Sequence, residues 1–79
     1  MIRVLFFGPV AERMGASSLD ADYAPGMRLA DLRAQLAARH PEAFALVSLA
    51  AVDGEHARDF ALPLNDGAEV VFMSSFSGG

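Results

Sequence analysis

The sequence predicts an α+β domain in which one mixed β-sheet is covered on one face by a helix. Strand-like apolar segments stand at both ends of the chain, one amphipathic helix lies between them, and the connections are short. The 79 residues, 53% of them apolar, are enough for a single small domain over 1–79. No linker, repeat or second domain is visible.

The first half of the chain contains two strand signals and the only predicted helix. Residues 2–7 are rich in β-branched and aromatic side chains, and Gly8-Pro9 closes this strand. A weaker strand is predicted at 18–23, where apolar and polar residues alternate. The periodicity that follows predicts a helix over 29–39.

That helix is predicted from a stripe of leucines and from its end signals. Leu29, Leu32 and Leu36 fall at i, i+3 and i+7, which places them on one face. Pro41 ends the helix. Arg28 stands where a Ser, Thr or Asp cap is expected, so the start is poorly marked.

The second half of the chain contains two further strands. A strand at 46–52 leads into Asp53-Gly54, a hairpin-type turn signal. The short apolar stretch at 60–64 contains Pro63, which argues against a central strand there. After a turn, the last strand covers 69–74. This β-β-α-β-β order fits a β-grasp roll, with the first and last strands parallel at the sheet centre. A ferredoxin-like arrangement would need a second full helix.

Alternation along the first and last strands predicts an apolar face that the single helix does not cover. Side chains on a strand point alternately to the two faces of the sheet. If one face meets the helical leucines, the outward residues are Leu5, Phe7, Val71 and Met73. An exposed apolar patch of this kind marks a protein interaction site. The alternative is that strand bends or the 60–64 segment cover it.

Composition excludes several classes of function. The net charge is −4, and the six basic residues, all Arg, form no cluster, which makes nucleic acid a poor ligand. There is no Cys, and His40 and His56 lack a local metal-ligand spacing, so no metal site is expected. Neither a signal peptide nor a membrane span is visible, and we expect a cytoplasmic protein without a membrane partner.

The sequence ends in Gly78-Gly79, within a tail predicted to be flexible over 75–79. Two residues without Cβ atoms form the thinnest peptide that can thread a narrow channel. A carboxylate at such an end becomes reactive once it is adenylated, and a sulfur nucleophile can then form a thiocarboxylate. The chain has no Lys, so no internal isopeptide can capture the activated end. A frayed end is the alternative interpretation.

Several segments together resemble a known family. Residues 1–8, the helix near Leu29, segments 50–54 and 63–72, and the terminal 77–79 look like the small subunit of molybdopterin synthase. That subunit belongs to the MoaD group of ubiquitin-like sulfur carriers, which have the β-grasp fold. The terminal glycines are shared with ThiS and other ubiquitin-like modifiers, and the opening strand and segment 63–72 make the match stronger.

The resemblance implies a specific chemistry and specific partners. Gly79 would be adenylated by an ATP-using, E1-like enzyme and thiocarboxylated with sulfur from a donor such as a sulfurtransferase, while Gly78 gives clearance. The chain would bind no cofactor itself. The large subunit of molybdopterin synthase would hold the catalytic residues and accept the tail, so this chain would be a cosubstrate. Two sulfurs would pass to a cyclic pyranopterin precursor, within a heterotetramer of two small and two large subunits.

The same resemblance assigns interface positions and shows one departure. Phe7 and Met73 match positions that the family uses against its partners. Many members have a Pro-Pro pair where this chain has Ser74-Ser75, so we expect a more flexible tail, with Phe76 as an apolar anchor in the partner's channel. Two alternatives stay open: a sulfur carrier for thiamine, cysteine or another product, and a ubiquitin-like binding or modifier module.

Overall fold

The computed structural model of the chain describes residues 1–75. The elements are, in order, β1 (Ile2–Phe6), α1 (Gly8–Met14), β2 (Ser18–Ala21), α2 (Leu29–Arg39), α3 (Pro41–Phe44), β3 (Leu49–Val52), β4 (Glu55–His56) and β5 (Glu69–Met73).

The five strands form one mixed sheet in the order β2-β1-β5-β3-β4. β1 and β5 are parallel, and every other neighbouring pair is antiparallel. A parallel pair needs a long crossover, and here the whole middle of the chain supplies it. The predicted β-grasp arrangement, with the first and last strands parallel at the sheet centre, is confirmed.

Helix α2 has the predicted bounds, and the signal for its start is Asp31, a residue in the first turn of the helix. The Arg28 N–H donates to Oδ2 of Asp31 at 2.9 Å, which is half of a capping box. The Arg28 guanidinium donates to the Ala61 carbonyl oxygen at 2.8 Å. The acidic residue in the first turn, rather than the residue at the cap, therefore marks this helix start.

The prediction of a single helix was wrong, because both prolines that were interpreted as stop signals also begin a helix. Pro9 lies in the first turn of α1 and Pro41 in the first turn of α3, where the missing N–H costs nothing. Gly15 ends α1 in the left-handed conformation, at φ 71°, and its N–H donates to the Ala11 carbonyl oxygen at 3.0 Å. Helices this short leave little periodicity in a sequence.

The predicted third strand was too long, and a short fourth strand was not predicted. Leu46 and Val47 continue the turn after α3, with N–H groups donating to carbonyl oxygens of α3 at 3.1 and 3.2 Å, so β3 begins at Leu49. Asp53-Gly54 makes the predicted hairpin turn, with φ of 51° and 84° as a type I′ turn requires. The turn leads into β4.

The 60–64 stretch stays outside the sheet, as Pro63 predicted. Pro63 makes only an isolated bridge with Arg28, and the N–H of Leu29 donates to the Leu62 carbonyl oxygen at 2.9 Å. This stretch therefore lies against the start of α2 and leaves the second face of the sheet uncovered.

The core lies between one face of the sheet and the helices. Helix α2 contributes its leucine stripe, and α3 contributes Phe44, whose ring packs edge-on between Phe6 and Phe72 at centroid distances of 6.2 and 5.1 Å. The largest fully buried side chains are Phe6, Phe72, Ile2, Leu29, Leu32, Val4, Val10 and Val70.

The first residue is tied to the turn that precedes β5. The Met1 amino group donates to Oδ1 of Asp66 at 2.6 Å, and the Gly67 N–H donates to the Met1 carbonyl oxygen at 3.0 Å. The hydrogen bond and the positive charge of the amino group lower the pKa of Asp66.

Candidate functional site

The side of the sheet away from the helices carries a continuous group of apolar side chains. Leu5 pairs with Val71, which pairs with Ala51, and Met73 pairs with Leu49, so these residues share one face across three strands. We name the group formed by Leu5, Phe7, Leu49, Ala51, Val71 and Met73 the outer apolar face. Its members on the strands are half-buried, and Phe7 is 52% exposed.

Phe7 joins this face because the backbone stays extended beyond β1. Its φ of −130° and ψ of 155° continue the strand alternation, which places its side chain on the same side as Leu5. A large aromatic side chain with half of its surface in water is unusual for a lone domain. The exposure of Phe7 indicates that this end of the face is available to a partner.

A charged row borders the outer apolar face. The register places Arg3 of β1 between Asp20 of β2 and Glu69 of β5, and all three side chains are exposed on this side of the sheet. The face therefore has an apolar part near the ends of β1 and β5 and a polar rim near their starts. This is the composition of a protein interface with a polar rim.

The chain leaves β5 at the apolar end of this face. Met73 is the last residue of β5, Ser74 is buried with 4% of its surface exposed, and the N–H of Ser75 donates to Oγ of Ser48 at 2.7 Å. The N–H of Ser48 in turn donates to the Met73 carbonyl oxygen at 3.0 Å. The base of the tail is thus held beside the outer apolar face.

The structure brings together Leu5, Phe7, Val71 and Met73, the four outward residues named from the sequence. Their role in partner binding stays a prediction. The other predicted site residues, Phe76, Gly78 and Gly79, lie outside the described residues.

Sequence reasoning missed three residues of this region. Leu49 and Ala51 alternate with inward residues of the predicted third strand, so the alternation that located the outward residues of β1 also applies to them. Ser48 carries no comparable signal. Its hydroxyl contact with Ser75 depends on how β3 and β5 end, which only the folded chain decides.

The remaining candidates for chemistry are weak within residues 1–75. No group of three or more side chains there is arranged to hold a metal ion. His40 joins α2 to α3, and His56 lies on the edge strand β4, so the two histidines belong to separate elements. Among these residues no helix has the length and apolarity to cross a membrane.

The parallel central strand pair, the helix across one face and the uncovered apolar second face define a β-grasp protein. The chain belongs to the ThiS family of ubiquitin-like sulfur carriers, whose family model matches residues 4–79. This match covers nearly the whole chain and includes the two terminal glycines. No curated protein matches the sequence significantly.

Solved structures show the same fold at low sequence identity. SAMP1 from Haloferax volcanii has a TM-score of 0.82 at 20% identity, with 99% of this chain and 98% of that chain covered. A putative molybdopterin converting factor subunit 1 from Pyrococcus furiosus also has a TM-score of 0.82 at 20% identity, covering 92% and 94%. A complex of subunits 1 and 2 of the molybdopterin-converting factor from Helicobacter pylori gives 0.69 at 22% identity, covering 99% and 97%.

Proposed function

We propose that this chain is the small, sulfur-carrying subunit of a molybdopterin synthase. The observation that carries the proposal is the position of Ser74 and Ser75, which follow β5 at the apolar end of the outer apolar face. A partner that covers this face therefore also receives the residues that follow Ser75. One surface would then bind the partner while the tail reaches into it.

The chemistry belongs to the carboxylate of Gly79. An E1-like enzyme transfers AMP from ATP to this carboxylate, with pyrophosphate as the leaving group. The sulfur donor, a sulfurtransferase that carries a persulfide, then attacks the carbonyl carbon and AMP leaves, which gives an acyl disulfide. A thiol reduces this disulfide, so that the thiocarboxylate is released and the thiol becomes part of a new disulfide. The large subunit would exclude water from the tail and hold the residues that pass sulfur to a cyclic pyranopterin precursor. This chain is a cosubstrate in that scheme and binds no cofactor.

Two observations support the choice of molybdopterin as the product. The segments 1–8 and 63–72 resemble the small subunit of molybdopterin synthase. Two of the structural neighbours are described as a molybdopterin converting factor subunit 1 and as a complex of subunits 1 and 2. By analogy, the expected assembly has two small and two large subunits.

The proposal is tested in two steps. The purified chain is incubated with an E1-like enzyme, ATP and a sulfur donor, and its intact mass should rise by one oxygen-to-sulfur exchange. A variant that lacks Gly79 should show no such change. The modified chain, mixed with the large subunit and the cyclic pyranopterin precursor, should then yield a dithiolene product. A chain whose mass never changes is not a sulfur carrier, and a loaded chain that gives no dithiolene serves another acceptor.

The second candidate is a protein modifier, which the likeness to SAMP1 favours. One neighbour is described as SAMP1 and another, from the same organism, as small archaeal modifier protein 1, with TM-scores of 0.82 and 0.76. In that case Gly79 would form an isopeptide with a lysine of another protein, since this chain has none. Incubation with the activating enzyme, ATP and a lysine-rich acceptor protein should then give a conjugate that sodium dodecyl sulfate does not dissociate.

A further inference from the structure

Ser48, the residue before β3, makes two hydrogen bonds with the chain at the end of β5, one as donor and one as acceptor. The regular register of the two strands ends at the pair Leu49 and Met73. One residue earlier, the Ser48 N–H donates to the Met73 carbonyl oxygen at 3.0 Å, and Ser48 Oγ accepts the N–H of Ser75 at 2.7 Å. Ser48 thus binds the chain on both sides of Ser74.

The second of these bonds extends the fixed path of the chain beyond the strand. The hydroxyl of Ser48 takes the place that a backbone carbonyl oxygen would fill in a longer ladder, and 2.7 Å is a short N–H···O distance. Ser74, which lies between the two attachments, is buried. The backbone therefore has a defined course through Ser75, two residues after β5 ends.

We propose that Ser48 is a positioning residue for sulfur transfer, because it fixes the point from which the tail leaves the domain. This inference rests on the proposed function, in which Gly79 must reach a site in the large subunit. Four residues follow Ser75, and four residues span at most about 14 Å.

Releasing Ser75 would move the fixed point back to the buried Ser74 and lengthen the tether from four residues to five. The local concentration of a tethered end falls with roughly the −3/2 power of tether length, so this change alone gives about a 1.4-fold loss. Ordering one additional residue when the partner binds weakens the complex further. Together these effects predict a half-saturating concentration of the large subunit about three- to tenfold higher.

The first experiment measures the contact in the full chain alone, by the amide hydrogen exchange of Ser75 in NMR spectra. Ser48→Ala removes the acceptor and should speed this exchange about two- to tenfold, as expected for the loss of one modest hydrogen bond. Ser48→Thr keeps a hydroxyl and should leave the rate near wild type. Ser18→Ala, the same change at an exposed serine of β2, is the matched control. Equal exchange in wild type and Ser48→Ala would overturn the proposal.

The second experiment measures sulfur transfer from the thiocarboxylated chain to its acceptor at increasing concentrations of the large subunit. Ser48→Ala should raise the half-saturating concentration of the large subunit about three- to tenfold with a nearly unchanged limiting rate. Ser48→Thr should have a half-saturating concentration near that of wild type. Faster exchange at Ser75 without this rise would show that Ser48 holds the chain but does not position the tail. If the wild-type chain accepts no sulfur, the proposed function fails and the transfer role fails with it, while the exchange rates still report the contact.

Discussion

Phe7 shows at the residue scale how an exposed side chain can indicate function. Three large apolar residues are exposed among the described residues, Met1, Phe7 and Leu62, but only Phe7 adjoins a group of apolar neighbours on an uncovered sheet face. Leu62 lies beside the start of α2, away from this face. The two side chains therefore form a matched pair for testing the outer apolar face.

We predict that Phe7→Glu weakens binding of the large subunit by at least about tenfold, because it removes an aromatic contact and buries a charge at an apolar interface. Leu62→Glu makes the same kind of change elsewhere and should leave the affinity within about twofold of wild type, as exposed substitutions outside an interface usually do. Isothermal titration calorimetry of both variants measures the difference. Improved solubility of Phe7→Glu with unchanged affinity would show that the face is not the interface.

Phe76 gives a second prediction at this scale. If its ring anchors the tail in an apolar channel of the large subunit, Phe76→Ala should weaken the complex about tenfold, in line with the loss of one buried aromatic side chain. Phe76→Leu keeps apolar bulk and should lose less. The dissociation constants of the two variants are measured with the same large subunit. An unchanged dissociation constant for Phe76→Ala would show that Phe76 does not anchor the tail.

The ion pair between the Met1 amino group and Asp66 predicts a pH dependence. Its contact with the amino group lowers the pKa of Asp66, so the folded state binds this proton less readily than the unfolded chain does. The contribution to stability is therefore complete above roughly pH 5 and is lost as the pH falls through the lowered pKa. Asp66→Asn should slightly lower the melting temperature at pH 7, and the difference from wild type should shrink as the pH falls below about 4. Because both groups are exposed, high salt should reduce the effect at pH 7.

At the scale of elements, the single turn α3 supports the fold more than its length suggests. It carries Phe44, which is 2% exposed and contacts the rings of Phe6 in β1 and Phe72 in β5. Through this side chain the shortest helix packs against both strands of the parallel pair. The position of the outer apolar face, on the opposite side of these strands, depends on that packing.

We predict that Phe44→Ala lowers the free energy of unfolding by about 3 kcal/mol, the usual cost of truncating a buried phenylalanine. A domain of this size has a total stability of only about 4–12 kcal/mol, so the effect should be severe. Phe44→Leu, which keeps most of the apolar volume, should cost less. Urea denaturation measures both, and a loss below about 1 kcal/mol for Phe44→Ala would mean that the ring cluster contributes little.

At the scale of the whole molecule, the domain has one covered and one uncovered sheet face, and the tail begins where the uncovered face ends. Burying the outer apolar face against a partner should stabilise the small domain as well as bind it. A partner at 100 times its dissociation constant adds about 2.7 kcal/mol to the stability of a folded protein.

For a domain of 79 residues, stabilisation of this size predicts a rise in melting temperature of about 10 °C or more when the large subunit is in excess. Fluorine-labelled small subunit, observed by NMR during heating, separates its unfolding from that of the partner. The Phe7→Glu variant should show a much smaller rise at the same concentrations. An unchanged melting temperature for the wild-type chain under saturating conditions would contradict partner binding through this face.

The sequence predicted well those features that repeat along the chain. The leucine stripe of α2, the alternation in β1 and β5, and the Asp53-Gly54 turn all depend on local spacing, and each appears in the structure. Elements of one or two turns, or of two residues, were not predicted. In α1, α3 and β4 tertiary contacts decide the conformation, and Pro9 and Pro41 suit the start of a helix as well as the end of the preceding element.

The sequence by itself determined the β-grasp order, the family resemblance and the identity of the outward residues. Strands and helices repeat their apolar residues at fixed local spacings, and these spacings can be read directly from the sequence. Only the tertiary structure decided that β3 lies beside β5 and in which register, and therefore that Leu49 and Ala51 complete the outer apolar face. It also decided that Ser48 holds Ser75. A contact between residues 27 positions apart depends on where two strands end in space, and no local pattern in the sequence records that position.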